Sequence, residues 1–367
     1  MPSGYPIVDC DIHATVPSLK VLLPYMDDYW REHFESRGTD NLALNMTSSP
    51  PNAPLSIRPD WKPKAGLPSS TVEEVSKHAL DAFGSSFGIL NPVGFAQVMH
   101  AEDMAAVLCR AVNDLIAKEW LDRDARLRAS ILIPATQSPQ LSVEEIERRA
   151  SDRRFVQVLM LAQNDMPLGK RYFWPIYEAA QKHGLAIGVH AGSAYRHAPS
   201  YAGYAAYFVE EYTTHAASFK TALLSLITEG VLGKFPDLKF VLTEAGFTWL
   251  PPFVWRSDKI WRGVRREVPW VKDPPSELIK RNVRFTLQPV DAPENDPEPL
   301  ARVLDQIGSD DLLLFATDFP HWHFDGTAAF PNGFPERLKR KIQSDNPLAT
   351  YPRLTETALA KEKEMAS

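Results

Sequence analysis

The sequence predicts an α/β fold, a (β/α)8 barrel carrying an insertion after its first strand. Three observations predict it. From about residue 100 onward, short apolar β-rich runs alternate with helical patterns, and that alternation means a parallel sheet. Three runs each end in a potential metal ligand: Pro6-Ile-Val-Asp-Cys-Asp-Ile-His13, Ile187-Gly-Val-His190 and Leu313-Leu-Phe-Ala-Thr-Asp318. They are the first, a middle and the last run, and their ends have to converge. First and last strands are neighbours in a closed barrel but can lie far apart in an open doubly wound sheet.

Taken in order, residues 7–13 are the first strand. Residues 18–87 then break the rhythm: they are Pro-rich, hold Ser48-Ser-Pro-Pro-Asn-Ala-Pro54 and Asp60-Trp-Lys-Pro-Lys-Ala-Gly66, and show little periodicity. Long structureless segments are uncommon unless functional, so this one is read as an insertion covering the barrel mouth or making a subunit contact. The missing eighth strand is placed within 88–99. Residues 101–121 form a helix, with Ala105, Leu108, Val112, Leu115 and Ile116 at helical spacing. A strand follows at 127–134, and Ser142-Val-Glu-Glu145 reads as a capping box opening the next helix. The remaining strands fall at 155–161, 185–190, 239–244, 283–287 and 312–318. Helices lie at 171–183, 208–233, from 250, at 297–307 and at 334–343, with a helical tail beyond. The whole is expected to be one domain spanning 1–367.

Composition narrows the function classes. The chain has 367 residues, is 44% hydrophobic and carries a formal charge of -6, so a nucleic acid or an anionic membrane is not expected as its partner. Two cysteines are too few for a disulfide framework, and no basic-then-apolar leader opens the chain, so a cytoplasmic protein is expected. No run approaches the roughly 18 apolar residues of a membrane span.

Side chains alternate along a strand, which puts Asp11 and His13 on one face, about 7 Å apart, within reach of one divalent cation. The same alternation turns Cys10 outward, against a helix. D-x-H is short and common; its weight comes from His190 and Asp318 ending later strands in register. Two carboxylates and two imidazoles suit zinc or manganese and move the site away from a thiolate-rich structural centre. A partly filled coordination sphere leaves room for water or substrate.

The chain resembles the amidohydrolase superfamily, in the branch holding the aminocarboxymuconate semialdehyde and resorcylate decarboxylases beside hydrolases. The resemblance covers nearly the whole chain. It rests on Asp9-Cys-Asp-Ile-His13, Val189-His-Ala-Gly192, the run from Gly230 to Gly246, Thr317-Asp-Phe-Pro-His-Trp322 and Asn346-Pro-Leu-Ala-Thr-Tyr351. It implies a distorted TIM barrel with one divalent metal, zinc before manganese, and a homodimer. It also implies Asp11, His13, His190 and Asp318 as ligands, with Asp318 handling a proton. One departure stands out. Where the family's decarboxylases end a strand in His followed by Gly, this chain has Thr243-Glu-Ala-Gly246. Glu244 is therefore read as a base toward metal-bound water or a further ligand.

His215, on the long helix after His190, is a candidate to assist the leaving group. His321 and His323 follow Asp318 in a tight turn, and His321 is read as orienting Asp318 and touching substrate. Arg196 is a candidate for a substrate carboxylate. Trp249, Trp255, Trp261 and Trp270 are read as core or interface residues. The leading expectation is a metal-dependent hydrolase of a small aromatic or carboxylated molecule. The alternative is a nonoxidative decarboxylase with the same metal cage. A binding protein on a retired barrel is disfavoured, since converging carboxylates and imidazoles without a metal are costly.

Overall fold

The structure is a computed structural model that describes residues 4–40, 57–192, 197–293, 296–321, 323–324, 326–331 and 333–354. Eight parallel strands follow one another around the sheet in chain order: β1 (Ile7–Ile12), β2 (Ser85–Leu90), β3 (Leu127–Leu132), β4 (Phe155–Leu161), β5 (Ala186–His190), β6 (Phe240–Thr243), β7 (Val283–Thr286) and β8 (Leu313–Leu314). Backbone bonds continue past the short β8 and close the seam. Cys10 N donates to Phe315 O, Asp318 N to Asp11 O, and His13 N to Phe319 O, at 2.9–3.0 Å. The fold is the predicted (β/α)8 barrel.

The helices, in order, are α1 (Asp28–Arg37), α2 (Val72–Val75), α3 (Glu102–Leu115), α4 (Pro139–Arg149), α5 (Trp174–Lys182), α6 (Phe208–Thr228), α7 (Val231–Lys234), α8 (Leu250–Val264), α9 (Pro275–Asn282), α10 (Pro297–Ile307), α11 (Glu336–Arg340) and α12 (Asn346–Thr350). None of the described helices is long and apolar enough to cross a membrane.

Several boundaries differ from the sequence reading, each for a local reason. The second strand begins at Ser85, inside the stretch assigned to the insertion, and ends at Leu90. The Ser85-Ser86 pair looks like a turn, yet Ser85 is buried. Helix α4 starts at Pro139, not Ser142: Ser138 accepts from Leu141 N, and Pro139 occupies the first turn, where its missing N–H costs nothing. Ser142 lies inside that helix and donates to Ser138 O. The predicted helix over 208–233 breaks at Gly230, whose φ of 82° is a left-handed value. A Cβ there would lie 2.6 Å from Trp270 Cδ1, so a glycine is required twice over. Trp255 and Trp270 are more than half exposed rather than in the core.

The barrel interior is filled from below. Val8, Cys10, Phe87, Ile89, Val156, Ala186, Val241 and Leu314 form a buried cluster capped by Tyr351 and Leu354. Cys10 therefore faces the interior and not a helix. The cause is irregular pairing of β1 with β2 between Asp9 and Ile12, which breaks the two-residue period. Beneath the strands Arg353 is 1% exposed and donates to the carbonyls of Ala150, Asp152, Phe155 and His183. Of the insertion, 41–56 lie outside the described residues. Its later part sits at the end of the barrel where β1 and β8 finish. Ile57 bridges His321, Arg58 N donates to Pro320 O, and the Trp61 ring lies 4.9 Å from Phe319.

Candidate active site

Each site side chain is delivered by a strand end. Asp11 and His13 leave β1, His190 closes β5, Glu244 follows β6, and Asp318 follows β8. Two of them hold unusual backbone: φ is 57° at Glu244 and 55° at Asp318, left-handed values that non-glycine residues adopt at a cost of roughly 1–3 kcal/mol. Neighbours hold both in place. Thr286 Oγ1 accepts from Glu244 N at 3.1 Å, and Asp318 N is tied to Asp11 O. Asp9 stitches the seam beneath them, accepting from Thr317 N, Thr317 Oγ1 and Asp11 N. Burial pushes the Asp9 carboxyl up to about 7, against the pull of those donors.

The side chains form two overlapping groups, each with all its ligand atoms within 4.8 Å of one another. One is Asp11, His13, His190 and Glu244; the other is His13, Glu244, Asp318 and His321. Three of the four sequence-predicted ligands thus stand together in the first group. Glu244 stands with them in the fourth place, while Asp318 pairs with His321 beside it. His13 Nε2 joins the halves, 2.9 Å from Asp318 Oδ1 and 3.4 Å from Glu244 Oε1.

The donor set suits a divalent cation. His190 Nδ1 donates to Ala191 O, which leaves the Nε2 lone pair of the neutral ring free to bind a metal. That Nε2 is buried without a hydrogen bond, 3.6 Å from Asp11 Oδ1, and Asp11 Oδ2 is likewise buried and unpartnered. Orphaned acceptors of this kind are costly unless a cation satisfies them. Asp11 Oδ1 is the satisfied oxygen, accepting from Asn91 Nδ2 at 2.8 Å.

Electrostatics follow from burial of so many groups together. For Glu244 burial works upward, but His190, His13 and His321 outweigh it and hold the carboxyl well below the usual range. Asp318 is pushed up by burial and Glu244, yet His321, His323 and His13 bring it to about 2. Burial alone would lower His321; Asp318 and Glu244 instead raise it to about 9. His13 is raised likewise, by bonds to Asp318 and Glu244 that exceed its desolvation.

Asp318 is gripped from two sides. His321 Nδ1 lies 2.7 Å from Oδ1, and His323 Nδ1 2.5 Å from Oδ2. His323 Nε2 meets Tyr212 Oη at 2.5 Å, with the two rings stacked. His215 sits one helical turn after Tyr212, its ring centroid 5.1 Å away. It feels Glu244 and His190, and burial lowers its pKa. Arg196 lies outside the described residues.

Sequence reasoning gave His323 no role and did not single out Tyr212 or Asn91. Asn91 was findable, because it ends the apolar run of β2 as His190 ends that of β5. Tyr212 had no signal, being one aromatic on a long helix.

Comparison with known proteins places the fold. The chain is 28% identical to 6-methylsalicylic acid decarboxylase of Penicillium expansum over 138 residues, which is 36% of this chain and 40% of that one. The whole fold matches 2,6-dihydroxybenzoate decarboxylase from Rhizobium, with a TM-score of 0.67 and 19% identity over 94% of this chain and 98% of that one. It also matches 5-carboxyvanillate decarboxylase of Novosphingobium aromaticivorans complexed with manganese and 4-hydroxy-3-methoxy-5-nitrobenzoic acid (TM-score 0.68, 20% identity, 95% and 96% covered). An amidohydrolase from Mycobacterium avium subsp. paratuberculosis K-10 matches with a TM-score of 0.69 and 22% identity, covering 95% of this chain and 98% of that one. At these identities the solved structures speak for the fold alone. The decisive match is the family model described as Amidohydrolase, which runs over residues 8–353; the chain belongs to the amidohydrolase family.

Proposed function

We propose that this protein is a metal-dependent, nonoxidative decarboxylase of a small aromatic carboxylic acid. The observation that carries the reading is His321 against Asp318. Decarboxylation replaces a carboxylate on carbon by a proton, so the site needs a proton held next to the substrate. His321, at about 9, keeps one at neutral pH, 2.7 Å from Asp318 Oδ1. His321 delivers that proton to the ring carbon as the bond to the departing carbon dioxide breaks, while Asp318, ionised at about 2, orients the imidazolium and balances its charge. The electron pair of that bond returns to the ring and ends in the new C–H bond.

Asp11, His13 and His190, with Glu244 or Asp318, would hold the divalent cation. When bound, it would anchor the substrate's oxygens and offset their charge. Manganese is the first choice, because it accepts carboxylate-rich sets and is bound in the carboxyvanillate relative. Zinc, the sequence expectation, remains the competitor. His323 and Tyr212 steady Asp318, and His215, kept neutral by burial, faces the same space. Arg196 is retained as the candidate for a second substrate carboxylate. We also retain the homodimer; light scattering at micromolar concentration tests it.

The partial similarity to a named decarboxylase supports this reading over the hydrolase. Glu244 favours the hydrolase as second reading, since an ionised carboxylate serves as a base toward water. One assay separates the two. Manganese-loaded protein is incubated in deuterium oxide with hydroxybenzoic acids, and with amides and esters of the same rings. Carbon dioxide with ring-bound deuterium is expected; cleavage of amide or ester with no carbon dioxide from any acid overturns the assignment.

A further inference from the structure

A chain of buried polar side chains runs from the floor of the barrel to Asp11. Tyr351 Oη donates to Gln157 Oε1 at 3.2 Å, and Gln157 Nε2 donates to Asn91 Oδ1 at 2.9 Å. Asn91 Nδ2 then donates to Asp11 Oδ1 at 2.8 Å. Ser130 locks the middle: its hydroxyl donates to Asn91 Oδ1 at 2.5 Å and accepts from Gln157 Nε2 at 2.8 Å. All five residues are at most 1% exposed.

The chain has a fixed polarity. An amide has one acceptor end and one donor end, and turning either amide over would face donor to donor or acceptor to acceptor. Asn91 Oδ1 takes two donors, one for each lone pair, so its NH2 must point at Asp11. Gln157 is set in turn by Asn91 Oδ1, which can only accept; the Tyr351 hydroxyl, able to donate or accept, then braces Gln157 by donating to its Oε1. Space is reserved for it as well: a Cβ on Gly188 would come within 3.0 Å of Gln157 Cδ and Nε2, and Gly188 lies two residues before His190 on β5. The result occupies one oxygen of Asp11 and leaves Oδ2, buried and unpartnered, for the cluster of His13, His190 and Glu244.

We propose that Asn91 is a positioning residue for the metal site, held in its orientation by Gln157, which Tyr351 braces from the floor of the barrel. This rests on the reading of Asp11 as a ligand. Partners that orient a ligand typically account for about 10–100-fold in metal affinity.

The test measures the manganese dissociation constant by competition with a metal-sensitive chelating dye, on purified full-length protein stripped of metal. Folding of each metal-free variant is checked by circular dichroism. Asn91→Leu, which has no donor, is expected to weaken manganese about 10–100-fold. Gln157→Glu presents an acceptor where Asn91 Oδ1 meets a donor. Whichever way Asn91 turns, its Oδ1 then faces an acceptor, at position 157 or at Asp11, and its hold on Asp11 is weakened; a loss on the same scale is expected with Asn91 untouched. Tyr351→Phe, two residues further along the chain, is expected to give a smaller loss of a few-fold. A merely structural role would lower the melting temperature of the metal-free protein and leave the affinity of the folded fraction unchanged. Affinity within twofold of wild type in both Gln157→Glu and Tyr351→Phe overturns the proposal, whether or not Asn91→Leu folds. Wild-type protein that binds neither manganese nor zinc retires the metal reading itself, and this proposal with it.

Discussion

Glu244 and Asp318 share one backbone conformation, with φ of 57° and 55°, on strands that flank β7 from either side. A left-handed residue at a strand end swings its side chain off the strand's alternation. Both segments make the same left-handed turn, and the two carboxylates stand in one group with His13 and His321.

That shared strain has a measurable cost. Glycine accepts a left-handed φ without penalty, whereas a Cβ costs roughly 1–2 kcal/mol. In metal-free protein, Glu244→Gly and Asp318→Gly should be more stable than Glu244→Ala and Asp318→Ala by about 1 kcal/mol in urea unfolding. Alanine equal to or above glycine at both positions would show that the strain is absent in solution.

Elemental analysis of purified protein should find close to one manganese or zinc per chain. His190→Ala and Asp11→Asn should lose most of it. Glu244→Gln and Asp318→Asn decide the fourth ligand, because the residue that completes the first group is expected to cost more metal. Full retention in both His190→Ala and Asp11→Asn rules the site out.

His323 stands outside both four-residue groups yet touches Asp318. His323→Gln should therefore keep its metal and lose turnover by roughly 10²-fold or more, the range of a misplaced acid–base group. Tyr212→Phe should show the same pattern at smaller size. Loss of metal in His323→Gln would instead make it a ligand.

Glu211, buried near the start of α6, has an unpartnered Oε2, and burial raises its carboxyl to about 7. The folded value lies above the unfolded one, near 4.5. Stability is therefore full below about 4.5 and falls as pH rises through 7. Glu211→Gln should be more stable than wild type at pH 8, by at most about 3 kcal/mol, with the gap narrowing to about 1 kcal/mol at pH 5. A difference independent of pH contradicts this.

Gly230→Ala puts a Cβ both at positive φ and against the Trp270 indole. It should cost roughly 1–3 kcal/mol while leaving manganese binding intact. Gly188→Ala makes the useful contrast, since it crowds Gln157 and should weaken the metal more than the fold.

The barrel and its candidate metal ligands were legible because their signals are local. An apolar run closed by Asp or His suggests both that a strand is present and which end could carry chemistry, and Asp11, His13, His190 and Asp318 do lie at strand ends and in the two clusters. Parity was less legible. Cys10 faces inward only because β1 is irregular between Asp9 and Ile12, and no residue type announces that irregularity. Glu244 was noticed as a departure, but its left-handed turn, which sets its place among the imidazoles, is not written in Thr243-Glu-Ala. Tyr212 reaches His323 across 111 positions. Contacts of that kind arise from packing and have no trace in the sequence near either partner.

The floor of the barrel bears on how the chain acquires its fold. Tyr351, Arg353 and Leu354 complete an interior whose other walls begin at Val8, so the hydrophobic filling is unfinished until residue 354 has left the ribosome. β1, paired early with β2, waits until Phe315 to Phe319 for its second partner. A nascent chain shorter than this exposes Val8, Ile89, Val156 and Val241 around an empty centre. Contacts so distant in sequence make for slow closure and an aggregation-prone interval. A chain stopped just before Tyr351 is expected to be found with chaperones and in inclusion bodies, however well its eight strands are encoded.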